Sequence, residues 1–304
     1  MGLKLASGGH LTHGHPNITF SGKYYQSVQF GTNKEGIIDY NEVEKLAKKE
    51  KPELLMIGTT AYPLILDWSR FAKIADSIGA WLVADISHIA GLILAGVYPS
   101  PASYAHVIMT TTHKTLRGPR GAIIMVTQKG IEKDSEAPSK IDRAVFPGLQ
   151  GGPHDNTTAA IAVALSEAGK PSFKKYGQQV VSNAKILTAE LKKGGLNLVA
   201  GGTECHLLVV DFKNRNSAGK EIAAALETAG IITNKNTVPG DKSPFYPSGI
   251  RLGTPAITTR GMKEKEMKII AKWVLDVVEN PTDKKLHHNI AQDVKNLCKK
   301  FPLE

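Results

Sequence analysis

The chain has 304 residues, of which 41% are hydrophobic and 22% are charged, and its formal net charge at pH 7 is +10. This length is sufficient for two domains with substantial cores, and the composition excludes a disordered or fibrous protein. The positive charge is spread over helix surfaces, no apolar run reaches the roughly 20 residues of a membrane span, and the two cysteines have no paired spacing. We therefore expect a cytoplasmic protein that binds neither nucleic acid nor a membrane.

The first feature along the chain is a group of three histidines between glycines, His10, His13 and His15. We predict no strand or helix before this group. An imidazole stacked on a planar cofactor is the interpretation that the residues favour, and a structural loop is the first alternative. A zinc site of the kind found in hydrolases is the second alternative, although no acidic residue accompanies the histidines to complete it.

From Asp39 onward, helical and strand-like segments alternate. Amphipathic and apolar patterns predict helices over 40–51 and 67–79, and strands over 52–60, 80–87, 106–112 and 121–127. Continuous apolar strands of this kind are typical of a parallel sheet that is covered on both faces. Ligands bind at the carboxyl ends of such strands, and polar groups follow three of them, at 59–62, 85 and 110–114.

The pattern changes in the second half of the chain. A long helix is predicted within 146–169 and another over 170–195, and short strands follow at 196–202 and 206–212. We place a domain boundary near Ala168. Residues 1–168 would then form a large α/β domain, and residues 169–304 a smaller α+β domain.

Two residues at neighbouring strand ends suggest a specific chemistry. Asp85 ends one apolar strand, and Lys114 follows the next strand. The alternatives are a helix cap for Asp85 and a solvated surface position for Lys114. A carboxylate that faces a pyridine nitrogen, together with a lysine that forms a Schiff base, is the minimal equipment for pyridoxal phosphate chemistry. Burial would lower the pKa of the amine toward its nucleophilic neutral form.

Two further segments could bind anionic groups. The glycines Gly151 and Gly152 precede a predicted helix start, where free backbone amides could hold a phosphate, although the same sequence also suits an ordinary turn. Arg251 lies between small residues in a segment that reads as strand and turn. It could bind a substrate carboxylate through two parallel hydrogen bonds, and a salt bridge to the other domain is its alternative.

Taken together, these segments resemble the serine hydroxymethyltransferase family of fold-type I, aspartate aminotransferase-like pyridoxal phosphate enzymes. The resemblance covers essentially the whole chain in family order. It rests on "LASGGHLTHG", "FSGKYY", "GIIDY", "VADISHIAGL", "TTTHKTLRGPRG", "FPGLQGGPH", "NKNTVPGDKSPFYPSGIRLGTPAITTRG" and "LCKKFPLE".

The resemblance implies a role for each matching residue. Lys114 would form the Schiff base with the cofactor, Asp85 would face the pyridine nitrogen, and His10 would stack on the ring. The other implied cofactor positions are His88 near the phenolic oxygen, Thr60, Thr111, and Gly151 and Gly152, which would reach the phosphate of the neighbouring subunit. The implied substrate positions are Arg251 at the amino-acid carboxylate and Leu5, Gly9, Leu11 and Asn236 around the folate.

The implied reaction is the reversible conversion of serine and tetrahydrofolate to glycine and 5,10-methylenetetrahydrofolate, in a homodimer or tetramer with shared sites. Family members have roughly a domain's worth of chain before the histidine loop, so we expect the large domain to be incomplete at its N-terminus. The alternative is a truncated or split form that binds cofactor but needs a separate N-terminal piece for turnover. Another pyridoxal phosphate enzyme, such as a threonine aldolase, is a third reading.

Overall fold

The computed structural model describes residues 1–215, 218–241 and 246–303, and it divides the strands between two sheets. The first sheet has the order β2-β1-β3-β4-β5-β6, and the second has the order β7-β8-β10-β9. The strands are β1 Gly2–Leu3, β2 Gln29–Phe30, β3 Leu54–Gly58, β4 Trp81–Asp85, β5 Val107–Thr111, β6 Ala122–Val126, β7 Asn197–Leu198, β8 Leu207–Asp211, β9 Asn234–Asn236 and β10 Gly249–Gly253.

Helices connect and cover these strands. They are α1 Phe20–Tyr24, α2 Tyr40–Glu50, α3 Trp68–Ser77, α4 Ala90–Leu94, α5 Gln128–Lys133, α6 Ala137–Arg143, α7 Asp155–Ala168, α8 Pro171–Lys193, α9 Gly219–Thr228, α10 Pro255–Thr259, α11 Glu264–Glu279 and α12 Lys284–Lys300. Aspartates begin two of the predicted helices: Asp39 accepts from the second and third backbone amides that follow it, and Asp67 accepts from that of Arg70. Among the described residues, no helix is long and apolar enough to cross a membrane.

The first sheet is mixed, whereas the sequence predicted a parallel sheet. β1 to β5 are parallel, but β6 pairs antiparallel with β5. A parallel neighbour would need a crossover of a dozen or more residues, and only the residues 112–121 connect these two strands. The prediction of the fold class nevertheless holds, because α/β sheets commonly carry one antiparallel edge strand.

The histidine loop begins from a strand, and the prediction that no strand precedes it was wrong. β1 lies between β2 and β3 and is parallel to both. Because this strand has only two residues, periodicity could not reveal it. Its position fixes the start of the loop at the carboxyl edge of the first sheet.

The second sheet packs against the first core through one strand. Along β8, Leu207 and Val209 belong to the core of the first sheet, whereas Leu208 and Val210 belong to the second core. This alternation is the two-residue period of a strand with both faces buried. Helix α8 also contributes to both cores, so the boundary near Ala168 stays a prediction.

Candidate functional site

The predicted polar residues meet at the carboxyl edge of the first sheet. The register pairs Gly58 of β3 with Asp85 of β4, and Asp85 with Met109 of β5, so these parallel strands end side by side. Thr60, Asp85 and Lys114 therefore lie near one crevice, as the sequence predicted.

Asp85 is held by a buried histidine. The Nε2 atom of His13 lies 2.8 Å from one carboxylate oxygen of Asp85, and the side chains are 1% and 11% exposed. The backbone amide of Ser87 donates to the other oxygen at 2.9 Å. Burial alone would raise the pKa of Asp85, but the contacts with His13 and Ser87 outweigh this effect and lower the pKa to about 2. Asp85 is therefore an anion at neutral pH.

The absence of a side chain at Gly58 makes room for this pair. A Cβ atom at this position would lie 2.4 Å from the backbone oxygen of Asp85, 2.7 Å from the Cβ of Asp85 and 3.0 Å from the Cε1 of His13. The sequence interpretation did not assign His13 to Asp85. Two facts could have suggested the pair: a buried carboxylate needs a donor partner, and a group of histidines lies elsewhere in the chain. The helix-cap alternative for Asp85 was wrong, because α4 begins after Ile89 and has no side-chain cap. The carboxylate accepts instead from Ser87 in the turn before this helix.

Lys114 is half-buried in the same crevice. Its Nζ donates to the Oγ1 of Thr111 at 2.8 Å. Burial lowers the pKa of Lys114, the positive charges of Arg120 and Arg251 lower it further, and Asp85 acts in the opposite direction. A larger fraction of neutral amine is therefore present than on a free lysine.

A cavity of about 390 Å³ adjoins this lysine, and His88, Lys114, His206 and Arg251 are among the residues that line it. The rings of His88 and His206 stack with centroids 5.8 Å apart and an angle of 26° between their planes. Burial, and then the nearby positive charges, lower the pKa of His88 to about 2 and that of His206 to about 3. Both imidazoles are therefore neutral at pH 7. His206 was not among the predicted site residues, because its position just before an apolar strand carries no functional signal.

Arg251 extends from the second sheet to the first. It lies opposite Val209, and cross-strand partners share a face, so its side chain points toward the first core. Its Nη1 donates to the backbone oxygen of Thr60 at 2.6 Å, and its Nη2 donates to the Oδ1 of Asn234 at 2.9 Å. Within the described residues no carboxylate pairs with Arg251, so the salt-bridge alternative was wrong.

The histidine loop is attached to the end of β3 by Thr60. The Oγ1 of Thr60 donates to the backbone oxygen of Gly9 at 2.8 Å, and its amide donates to that of Gly8 at 2.8 Å. The Nδ1 of His10 lies 2.7 Å from the Oγ1 of Thr12. No group of three metal-binding side chains exists in the described part of the chain, and His13 binds Asp85. The structure thus does not support the zinc alternative.

The remaining predicted positions lie around this centre. Gly151 and Gly152 are exposed, and an added Cβ would meet no atom of this chain within 4 Å. Leu5 lies in a single helical turn after β1, and Gly9 and Leu11 lie in the histidine loop. Asn236 ends β9 and donates to the backbone oxygen of Thr237. Residues 242–245 of the matching segment that follows Asn236, and the last residue of the "LCKKFPLE" end, lie outside the described residues.

Comparison with known proteins finds one family. A model of the serine hydroxymethyltransferase family matches residues 1–274. The serine hydroxymethyltransferase of Desulfotalea psychrophila is 53% identical over 303 residues, which cover 99% of this chain and 69% of the relative. The enzymes of that name from Legionella pneumophila and Xanthomonas axonopodis pv. citri are 51% and 50% identical, and each alignment covers 100% of this chain and 72% of the relative.

Replacing Gly58 with alanine should disturb the His13–Asp85 pair. The new Cβ would overlap the backbone of β4, so we expect a loss of about 1–3 kcal/mol in the free energy of unfolding. Urea unfolding measures this change. Gly169→Ala is the control, because its Cβ would meet only atoms at 3.5 Å or more, and it should change the value by less than about 0.5 kcal/mol. Equal effects of the two substitutions would contradict the close packing at Gly58.

Stability should fall as the pH decreases below about 6.5, the ordinary pKa of histidine. In this range the unfolded chain binds protons at His88 and His206, whereas the folded chain keeps both rings neutral. His206→Phe keeps a ring but removes one of these groups, so between pH 7 and pH 5 the average slope of unfolding free energy against pH should decrease by about 1 kcal/mol per pH unit. Urea unfolding between pH 7 and pH 5 tests this expectation. An unchanged slope in His206→Phe would refute the prediction.

Proposed function

Because the chain belongs to the serine hydroxymethyltransferase family, we propose that the carboxyl edge of its first sheet is the active site for the family's reaction. The chain is a pyridoxal phosphate-dependent transferase that reversibly converts serine and tetrahydrofolate to glycine and 5,10-methylenetetrahydrofolate. One observation carries the assignment of the site: a buried anionic carboxylate, Asp85, lies at the same sheet edge as Lys114, whose pKa is lowered.

The donor set fits pyridoxal phosphate. The anion of Asp85 would hold a protonated pyridine nitrogen, the amine of Lys114 would bind the aldehyde carbon, and His10 would contact the ring. When bound, the cofactor supplies an electron sink for the negative charge that develops on the amino acid. Thr60 and Thr111 would line its site, and Gly151 and Gly152 would approach the phosphate of a neighbouring subunit.

The chain's own residues prepare this site in three ways. Burial and nearby cations favour the neutral, nucleophilic form of Lys114, and Thr111 orients its Nζ by accepting a hydrogen bond. His13 fixes Asp85 in its charged form, so a pyridine proton would stay on the ring. His88 is neutral at physiological pH and can donate or accept a hydrogen bond there without adding a positive charge.

The substrates would bind on either side of this centre. Arg251 reaches the sheet edge from the second sheet and would bind the carboxylate of serine or glycine. Leu5, Gly9, Leu11 and Asn236 would surround tetrahydrofolate.

The assembly would be a cytoplasmic homodimer or tetramer. The edge strand β6, the segment before Gly151 and helix α7 expose apolar side chains, which we call the β6–α7 surface. Large apolar side chains that are exposed in a single chain suit burial at a protein interface. The side chains are Ile124, Met125, Val145, Phe146, Leu149, Val163 and Leu165.

Lys114→Ala should abolish covalent capture of pyridoxal phosphate. In the wild-type chain, borohydride treatment of the loaded protein should leave a pyridoxyl group on Lys114, which peptide mapping by mass spectrometry detects. Lys129→Ala is the matched control, because this lysine forms a surface ion pair with Asp76. A pyridoxyl group on another lysine of the wild-type chain, or capture that persists in Lys114→Ala, would refute the assignment.

Leu149→Asp should prevent dimer formation, because this side chain is 78% exposed on the β6–α7 surface and a charge there would oppose its burial. Analytical ultracentrifugation should give two or four times the 32.7 kDa chain mass for the wild-type protein and a smaller mass for the variant. The control Leu303→Asp changes an apolar side chain that is 61% exposed outside this surface, and it should keep the wild-type mass. A monomeric wild-type protein would exclude the proposed assembly.

A further inference from the structure

We propose that Asn234 is a positioning residue that orients Arg251 and thereby sets the affinity for the carboxylate of the amino-acid substrate. This inference rests on the proposed function of Arg251. Nothing in the sequence pattern singled out Asn234, which lies two residues before the predicted folate position Asn236.

The register of the second sheet places Asn234 beside the guanidinium. Asn234 of β9 lies directly opposite Arg251 of β10, so the two side chains share the face that is directed toward the first sheet. The Oδ1 of Asn234 accepts from Nη2 at 2.9 Å, while the backbone oxygen of Thr60 accepts from Nη1 at 2.6 Å. The guanidinium is thus held from both sides, by one group of each sheet.

The two contacts leave the remaining donors of Arg251 available. A guanidinium carries five N–H donors in a planar fork, and each terminal nitrogen of Arg251 uses one of its donors for Asn234 or Thr60. A fork that is fixed in this way needs no further ordering when a carboxylate binds, so less conformational entropy is lost on binding. Without Asn234, the Nη2 side of the fork would be free to rotate away.

The charge of the cavity explains why an amide is suited to this position. Among the described residues that line the cavity, Lys114, Arg117 and Arg251 carry positive charge and none is an aspartate or glutamate. An amide oxygen accepts a hydrogen bond without neutralising Arg251. A carboxylate at the same position would form an ion pair with the guanidinium and would compete with the carboxylate of the substrate.

Two substitutions separate this role from a structural one. Asn234→Ala should raise the KM for serine and the dissociation constant for glycine roughly tenfold, as expected for the loss of one hydrogen bond to a charged group. Asn234→Asp should raise both on the order of a hundredfold, because like charges would meet at the site. The kcat should change less than twofold in both variants, because the lost interaction contributes equally before and during the chemical step. In Asn234→Asp the melting temperature should stay the same or increase, since the new ion pair favours the folded state.

The measurements use the chain loaded with pyridoxal phosphate. Isothermal titration with glycine gives the dissociation constant, steady-state serine cleavage gives KM and kcat, and thermal unfolding gives stability. Lys235→Ala is the matched control, because Lys235 lies opposite Ile250 on the other face of β9, and its constants should equal those of the wild-type protein. Wild-type constants in both Asn234 variants, or losses of affinity that follow losses of melting temperature, would overturn this inference alone. A wild-type holoenzyme that binds neither serine nor glycine would overturn the proposed function, and this inference with it.

Discussion

The hydrogen bond between His13 and Asp85 is the contact on which the rest of the site depends. A buried carboxylate at a strand end is costly unless donors surround it, and the imidazole of His13 is the donor that the fold brings from 72 residues away. The pair links the histidine loop to β4, and the lack of a side chain at Gly58 permits the approach. Because Asp85 is held as an anion, its negative charge partly offsets the positive charges of the crevice.

The charges at this sheet edge are balanced so that most side chains keep a defined protonation state. Asp85 remains charged because its partners stabilise the anion, whereas His88 and His206 remain neutral because burial and nearby cations disfavour imidazolium. The pKa of Lys114 is lowered by the same burial, and Asp85 limits this effect. The same crevice therefore holds one anion, an amine with a lowered pKa, and imidazoles that stay neutral at pH values where free histidine would be protonated.

Sequence patterns predicted the parts of the fold that local physics determines. The helices at 40–50 and 68–77 have amphipathic periodicity and aspartate caps, and the strands that deliver Asp85 and Lys114 are continuous apolar runs. What the sequence could not supply was long-range pairing. Strand β1 has only two residues and therefore shows no hydrophobic periodicity. The antiparallel direction of β6 follows from the short segment that connects it to β5. The partners of Asp85 and Arg251 come from distant segments of the chain. Hydrogen-bond satisfaction requires that such partners exist, but it does not identify them.

The connection between the two sheets gives the site a further property. Strand β8 is buried on both faces, so its alternating side chains attach the second sheet to the first core, and the neighbouring β10 directs Arg251 along the same face. The guanidinium meets the first sheet at a backbone oxygen of Thr60, and the amide of that residue binds the histidine loop. A ligand carboxylate at Arg251 would therefore act on both sheets and on the loop at once. With Arg251 in its proposed role, recognition of the substrate carboxylate and the mutual placement of the two sheets would depend on one hydrogen-bonded unit.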